Sequence, residues 1–180
     1  TSMNMASLRS WGNIDALDIS VYEPVVVLKP DMIQVGRHVR IDAFVKLEGG
    51  HGMVIGSYTH ISSFCHIGIG GGQVVIGEYC GIASSVKILG GSYTASGMAP
   101  TPQAPGDMRS EVLQLRTVIG DYVALLTNCV ILPGVTVGEG AFVGAGAIVT
   151  RDIPPWEIWV GNPARFLKVR PHDMAVASIT

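Results

Sequence analysis

Residues 119–154 read IGDYVA LLTNCV ILPGVT VGEGAF VGAGAI VTRDIP, so an aliphatic residue recurs at every sixth position. The same six-residue unit occurs upstream, for example over residues 55–60, which read IGSYTH. This spacing matches neither the period of about 2 of a strand nor the period of about 3.6 of a helix. It indicates short strands that turn three times per coil. The sequence therefore predicts a triangular prism with its aliphatic residues stacked inward.

The aliphatic residues that open the units group by threes into about five coils. They are Val35, Ile41 and Leu47; Ile55, Ile61 and Ile67; Ile76, Ile82 and Ile88; Ile119, Leu125 and Ile131; and Val137, Val143 and Val149. Extra residues follow only the third unit of a coil, so every insertion falls at one corner of the prism. The longest insertion, over residues 90–117, is rich in proline and glycine and is predicted to be an excursion loop. A long loop of this kind is usually functional.

The chain divides into three predicted segments around this repeat. Residues 1–34 are expected to cap the lower end of the column, residues 35–154 form the β-helix domain, and residues 155–180 follow it. Val21 and Val27 are six residues apart, which predicts a partial coil near the N-terminus.

The C-terminal segment is predicted to contain a strand, a short helix and a tail. Residues 156–160 read as the strand, and residues 163–170 as the helix, with Asn162 as its N-cap and Pro163 at its first position. The predicted fold class is therefore all-β, with about five coils, one long excursion loop and a short C-terminal helix.

Composition excludes several classes of protein. The 180 residues are 48% hydrophobic and only 14% charged, which is too apolar for a disordered chain. The net charge of −2 argues against a nucleic-acid binder with a basic surface. Mean hydropathy is +0.40, but no apolar run reaches the roughly 18 residues of a membrane span. We expect no membrane insertion, and the N-terminal sequence lacks the apolar stretch of a signal peptide.

The chain has three cysteines, an odd number and too few for a disulfide framework. They favour a reducing compartment such as the cytoplasm. Cys65, Cys80 and Cys129 fall at inward positions of the repeat. We expect buried core thiols, because no acidic or histidine side chain faces inward beside them in this register. No metal site is predicted.

The repeat, the single loop and the closing motifs VTRDIPP (149–155) and GNPARFLK (161–168) together resemble the hexapeptide-repeat acyltransferases. The resemblance covers about residues 30–170. It implies a left-handed parallel β-helix, a homotrimer, and acetyl-CoA bound in the cleft between neighbouring subunits. Within the family the chain is most similar to sugar O- and N-acetyltransferases of surface polysaccharide synthesis, near the galactoside and maltose acetyltransferases. The implied reaction moves an acetyl group to a hydroxyl or amine of a sugar or nucleotide sugar.

The resemblance leaves the general base open. In the galactoside and maltose enzymes, the excursion loop opens with a His-Pro pair whose histidine is the base. Here residues 90–95 read GGSYTA, and residues 90–117 contain no histidine. Ser85 corresponds to an asparagine that places the acceptor in those enzymes. Ser92 and Tyr93 of the loop are further candidates for contact with the acceptor.

Five histidines are present, at positions 38, 51, 60, 66 and 172, and two of them are candidate bases. His60 and His66 end successive units, where side chains face outward, and an imidazole suits proton transfer near neutral pH. We rank His60 first. Its IGSYTH unit resembles the IGDFVH unit of nucleotide-amino-sugar N-acetyltransferases, whose histidine lines the acceptor site. The competing interpretation is that both are solvated surface imidazoles.

The family's coenzyme contacts carry over residue by residue. They correspond to Thr127, Ala145, Thr150, Arg151 and Arg165, and Lys168 adds a third cation where the phosphates are expected. The glycine run at 68–72 either supplies N–H donors to an oxyanion or forms a plain corner bulge.

Two other functions share this predicted fold. A γ-class carbonic anhydrase binds zinc or iron through three histidines, two of them five residues apart on one chain. Here His60 and His66 are six residues apart, and no third histidine follows within the repeat. A non-catalytic scaffold or binding protein would explain the missing loop histidine. The choice between O- and N-acetylation, and the identity of the acceptor, stay open.

Overall fold

Short strands follow one another along the computed structural model, which describes residues 17–94, 99, 101, 103–106 and 108–171. Up to the excursion loop they are β1 (Ser20–Val21), β2 (Val26–Leu28), β3 (Ile33–Val35), β4 (Arg40–Ile41), β5 (Lys46–Glu48), β6 (Met53–Ile55), β7 (His60–Ile61), β8 (His66–Ile69), β9 (Gln73–Ile76), β10 (Gly81–Ile82) and β11 (Lys87–Leu89). The others are β12 (Gly91–Tyr93), β13 (Val112–Gln114), β14 (Arg116–Ile119), β15 (Ala124–Leu125), β16 (Val130–Ile131), β17 (Thr136–Val137), β18 (Phe142–Val143), β19 (Ile148–Val149), β20 (Glu157–Val160) and β21 (Arg165–Val169).

These strands build the three faces of a prism. The first sheet has the order β1-β4-β7-β10-β15-β18-β20-β21, the second β2-β5-β8-β11-β16-β19, and the third β3-β6-β9-β14-β17. Within the three sheets every pairing is parallel except that of β20 with β21. The predicted all-β fold, a parallel β-helix, is confirmed. Among the described residues, no helix is long and apolar enough to cross a membrane.

The core is the set of inward aliphatic ladders that the repeat predicts. In the first sheet, Ile41, Ile61, Ile82, Leu125 and Val143 pair in register, and each is at most 1% exposed. Equivalent ladders line the other two sheets. Burial of each such side chain stabilises the fold by roughly 1.5–3 kcal/mol.

The predicted number of about five coils is too low, because the column has about seven turns. Residues 20–35 form a complete first coil in place of the partial one expected. Val27 pairs with Leu47 and Ile33 with Met53, so the chain visits all three sheets before the first clear run of six-residue units. At the upper end, Ile153 bridges to Val137, and β20 pairs with β18 in the first sheet.

The short C-terminal helix predicted at residues 163–170 is wrong. Arg165–Val169 is strand β21, which pairs antiparallel with β20 (Glu157–Val160). Without this partner β20 would leave unpaired N–H and C=O groups at the edge of the first sheet. Gly161, with φ of 91°, lies in the reversal between the two strands. The Asn-Pro pair that resembled a helix start serves this turn instead.

The excursion loop leaves the prism as an antiparallel hairpin of β12 with β13. The chain rejoins the third sheet at Arg116, so residues 116 and 117, predicted to be loop, belong to β14. Thr117 is fully buried there, and its hydroxyl donates a hydrogen bond to the Leu89 carbonyl.

The glycine run at residues 68–72 lies at the corner where the insertions occur. Gly70 has φ of 84°, and a Cβ at this position would overlap the Gly91 carbonyl one coil above. The Gly71 N–H already donates to the Gly68 carbonyl at 3.2 Å. The run therefore fits a corner bulge that lets neighbouring coils approach closely.

The corner between the third and first sheets carries a ladder of stacked rings. It contains His38, Tyr58, Tyr79, Tyr122 and Trp156. Ring centroids are 4.9 Å apart for Tyr58 and Tyr79, and 5.2 Å apart for Tyr79 and Tyr122. This spacing follows the rise of the coils, because each ring occupies the same corner position of its own coil.

Candidate functional site

His60 faces outward from the first sheet and is held by a carboxylate from the coil below. It occupies the outward position of β7 because the next residue, Ile61, points into the core. Its Nε2 lies 2.9 Å from an oxygen of Asp42, which stands 18 residues earlier, just after β4. The imidazole is 44% exposed, so one edge is anchored while the ring remains accessible.

Asp42 is itself fixed by Arg40, whose Nε donates to the other carboxylate oxygen at 2.7 Å. Burial raises the pKa of Asp42, but the hydrogen bonds from Arg40 and His60 more than offset this and leave the pKa below its ordinary value. These bonds stabilise the folded protein at pH values above the ordinary carboxyl pKa. This stabilisation is lost as the pH falls through the lowered pKa of Asp42. The ionised carboxylate can only accept the hydrogen bond with His60, so Nε2 carries the shared hydrogen, and in the tautomer that results Nδ1 is the nitrogen with a free lone pair.

His66 repeats this arrangement on the second sheet. Its Nε2 lies 2.6 Å from Glu48, and Nζ of Lys46 contacts the same carboxylate oxygen at 2.7 Å. Burial raises the pKa of Glu48, and the bonds from Lys46 and His66 more than offset it, so the pKa is lowered overall. As expected from the repeat, the two histidines lie on different faces of the prism.

The strands above the two histidines distinguish them. Gly81 is the register partner of His60 in β10, and it has no side chain to cover the imidazole. Lys87 is the register partner of His66 in β11. The His60 imidazole is also more exposed than that of His66, at 44% against 28%. The ring of His60 therefore has more open space around it than the ring of His66.

The remaining histidines stand apart from this arrangement. His38 contacts Asp18 at 2.8 Å and stacks on Tyr58. His51 lines a groove of about 340 Å³ together with Asp31, Gln34 and Gln73, beside the third sheet. His172 lies outside the described residues.

The predicted acceptor residues lie at two different corners of one chain. Ser85 follows β10 at the corner between the first and second sheets, half-buried, with φ of 64°. Ser92 and Tyr93 lie on β12 of the excursion hairpin, at the corner between the second and third sheets, and both are exposed. Within one chain, Ser85 thus lies nearer than Ser92 and Tyr93 to the first sheet, which carries His60.

All six predicted coenzyme residues are exposed and lie in the upper coils. Thr127 and Ala145 follow β15 and β18, Thr150 and Arg151 follow β19, and Arg165 and Lys168 lie on β21. The Gly146 N–H donates to the Thr127 carbonyl at 2.9 Å, which joins the two turns. The Arg151 guanidinium lies over the Trp159 ring, 5.2 Å from its centroid, beside the hairpin that carries Arg165 and Lys168.

The cysteines are core residues, as predicted. Cys65, Cys80 and Cys129 are free and buried. Burial raises the pKa of Cys65 and Cys80 to about 11 and that of Cys129 to about 12. A thiol in this state is a poor nucleophile at neutral pH. The described part of the chain contains no group of three or more His, Cys, Asp or Glu side chains placed to hold a metal ion.

Sequence reasoning missed Asp42, Glu48 and the role of Gly81. A signal was present in the register, because this coil is 20 residues long, so Arg40 and Lys46 lie directly below His60 and His66, and each carboxylate stands two residues after that partner. In the printed sequence, RID at 40–42 stands one coil below HIS at 60–62, and KLE at 46–48 stands one coil below HIG at 66–68.

Comparisons with known proteins agree with this architecture. The family model described as "Bacterial transferase hexapeptide (six repeats)" matches residues 116–151. The dTDP-4-amino-4,6-dideoxy-D-glucose acyltransferase of Escherichia coli is 32% identical over 142 residues, which are 78% of this chain and 73% of that protein. The putative lipopolysaccharide biosynthesis O-acetyl transferase WbbJ of E. coli K12 is 33% identical over 148 residues, 77% of this chain and 69% of that one.

A solved structure shows the same fold over almost the whole chain. A mutant of AntD, an N-acyltransferase from Bacillus cereus in complex with dTDP and coenzyme A, superimposes with a TM-score of 0.79 at 26% identity. The match covers 95% of this chain and 91% of AntD. The left-handed parallel β-helix predicted from the resemblance is thereby confirmed. The repeat, the fold and the extent of these matches establish that the chain belongs to the hexapeptide-repeat acyltransferase family.

Proposed function

We propose that this protein transfers an acetyl group from acetyl-CoA to a hydroxyl or amine of a sugar or nucleotide sugar in surface polysaccharide synthesis. The observation that carries the proposal is the His60–Asp42 pair, which stands on an open face of a family fold. The relatives support both acceptor types, because one is an acyltransferase for a dTDP-linked amino sugar and another is a putative lipopolysaccharide O-acetyl transferase.

The chemistry needs one base and no covalent enzyme intermediate. Acetyl-CoA supplies an activated acetyl group as a thioester. Nδ1 of His60 takes the proton from the acceptor hydroxyl or amine, while the acceptor oxygen or nitrogen forms a bond to the acetyl carbon. The carbon–sulfur bond breaks, and the proton held by His60 passes to the departing sulfur. The products are an acetyl ester or amide and free coenzyme A.

The upper coils fit the coenzyme. Arg151, Arg165 and Lys168 are exposed cations, which suit the phosphates, and Arg151 is held in place against Trp159. Thr127 and Ala145 are small residues on adjacent turns, where an extended pantetheine arm can approach the backbone. We propose that these residues and Thr150 bind acetyl-CoA.

Charge reversal at Arg165 should weaken acetyl-CoA binding. Arg165 is exposed, and its guanidinium donates a hydrogen bond to the adjacent Ala164 carbonyl, so solvent screens its effect. We expect Arg165→Glu to raise the Kd by roughly five- to thirtyfold, or about 1–2 kcal/mol, by calorimetric titration. Arg37→Glu makes the same charge change at the lower end of the column and should leave the Kd unchanged. Equal effects of both variants would show that Arg165 makes no specific contact.

The assembly is proposed to be a homotrimer. Ala124, Val130, Phe142 and Ile148 occupy outward positions of the first and second sheets and are only partly buried in the single chain. A threefold assembly would cover this apolar surface. Light scattering at micromolar concentration should give the mass of three chains. A mass of 19.0 kDa, that of one chain, would contradict the proposal.

We propose a cytoplasmic location, supported by three free cysteines, which suit a reducing compartment. The type of acceptor is tested by a thiol-release assay with acetyl-CoA and matched acceptors, a dTDP-linked 4-amino sugar and its 4-hydroxy counterpart. Release of thiol with only one of them assigns N- or O-transfer. Calorimetric titration with acetyl-CoA alone distinguishes an enzyme from a scaffold that binds no coenzyme.

A further inference from the structure

Gly81 is a glycine that neither the backbone nor the packing requires. It lies in strand β10 and is absent from the residues with positive φ. A Cβ added there would meet no atom within 4 Å. By contrast, a Cβ at Gly56 or Gly77, which follow inward residues of the third sheet, would overlap the backbone of the next coil. A glycine within a strand costs stability relative to alanine and often marks a place where a ligand or another backbone approaches closely.

Gly81 lies directly above His60 on the first sheet. Gly81 and His60 are register partners on neighbouring parallel strands, about 4.8 Å apart, and both occupy outward positions. The carboxylate of Asp42 holds the imidazole from the opposite side, the coil below. The missing side chain therefore leaves the position above His60 on the first sheet open.

The second sheet supplies the internal comparison. His66 has the same kind of carboxylate partner below it, but Lys87 fills the position above it. The two sheets thus differ in the residue above the histidine, and of the two only the first sheet leaves space above the imidazole.

We infer that the acceptor is a nucleotide-linked sugar, that it occupies the space over Gly81 beside His60, and that the size of the residue at position 81 limits the size of the acceptor. This inference rests on the proposed function. The acceptor, rather than the backbone of a second copy of the chain, is the occupant, because the space adjoins a paired imidazole that can take its proton.

The test replaces Gly81 with alanine, valine and phenylalanine. Each variant is titrated by calorimetry with a dTDP-linked 4-amino sugar and, separately, with acetyl-CoA. We expect the Kd for the nucleotide sugar to rise in the order alanine, valine, phenylalanine, by at least tenfold for Gly81→Phe. The Kd for acetyl-CoA should stay within twofold, and the melting temperature of Gly81→Ala should not fall, because a Cβ at this position meets no atom within 4 Å. Lys87→Val, at the equivalent position of the second sheet, should bind both ligands as the unchanged protein does.

Each other outcome overturns the inference. Equal nucleotide-sugar affinity in Gly81→Phe and the unchanged protein shows that the acceptor lies elsewhere. A loss of the trimer in Gly81→Phe shows that a neighbouring backbone fills the space. Absence of nucleotide-sugar binding by the unchanged protein also contradicts it. The proposed function is judged separately by turnover, since an unchanged protein that transfers acetyl groups keeps that function even if Gly81→Phe binds normally.

Discussion

His60→Ala should lower kcat by about 10²–10⁴-fold, the usual contribution of a positioned general base. The imidazole is 44% exposed, faces outward from β7 and has no side chain above it, so it is the histidine best placed to reach an acceptor. The Kd for acetyl-CoA should barely change, because the predicted coenzyme residues lie in the upper coils. Steady-state kinetics with thiol release, paired with calorimetry, measures both quantities.

His66→Ala is the matched control. It removes the same side chain from the same position of the neighbouring sheet, and we expect a loss of less than about tenfold in kcat. If His66→Ala abolishes turnover while His60→Ala retains it, the ranking of the two histidines is reversed. If neither variant matters, His60 and His66 are excluded as the base, and we would expect the enzyme to act mainly by orienting an amine that is already neutral.

Asp42→Asn should lower kcat by about 10²-fold, with an effect that depends on His60. The carboxylate accepts the Nε2–H of His60 at 2.9 Å and so keeps Nδ1 as the proton acceptor. An amide can present its NH₂ group instead, which removes the preference for this tautomer. We class Asp42 as a positioning residue. Its substitution should change kcat and its pH profile but leave the KM for acetyl-CoA within about twofold.

Glu48→Gln makes the equivalent change beside His66, and it should lose as much stability as Asp42→Asn without the loss in kcat. The double variant His60→Ala with Asp42→Asn should be no slower than His60→Ala alone, because Asp42 acts through the imidazole. Additive losses, or equal kcat values for Asp42→Asn and Glu48→Gln, would contradict the positioning role.

The period of six residues predicts most of the fold because the residue that opens each unit faces the core of the prism. The inward residue that opens each six-residue unit is aliphatic, so residues such as Ile61 and Ile82 could be placed in a ladder from their spacing alone. The first coil was harder to recognise, because an insertion separates Val27 from Val35 as it does in later coils. Strand β21 was not predictable from local signals, since its conformation depends on the open edge that β20 presents.

The site was only partly predictable for a similar reason. His60 and His66 could be singled out because outward positions are known from the repeat. Their partners are set by contacts between coils, and these require the register as well as the spacing. Gly81 looks like any glycine of the repeat until its surroundings show that nothing requires it. The roles of Ser85, Ser92 and Tyr93 stay predictions, because one chain holds them at two different corners.

The central claim is that this protein moves an acetyl group from acetyl-CoA to a sugar. The most direct test incubates the protein with acetyl-CoA and a panel of sugars and nucleotide sugars, dTDP-linked amino sugars included, and follows each acceptor by mass spectrometry. We predict that one acceptor gains a single acetyl group, with one coenzyme A thiol released per product, and that His60→Ala loses this activity. If acetyl-CoA binds but no acceptor gains an acetyl group, the claim is contradicted and the protein is a binding module of the same fold.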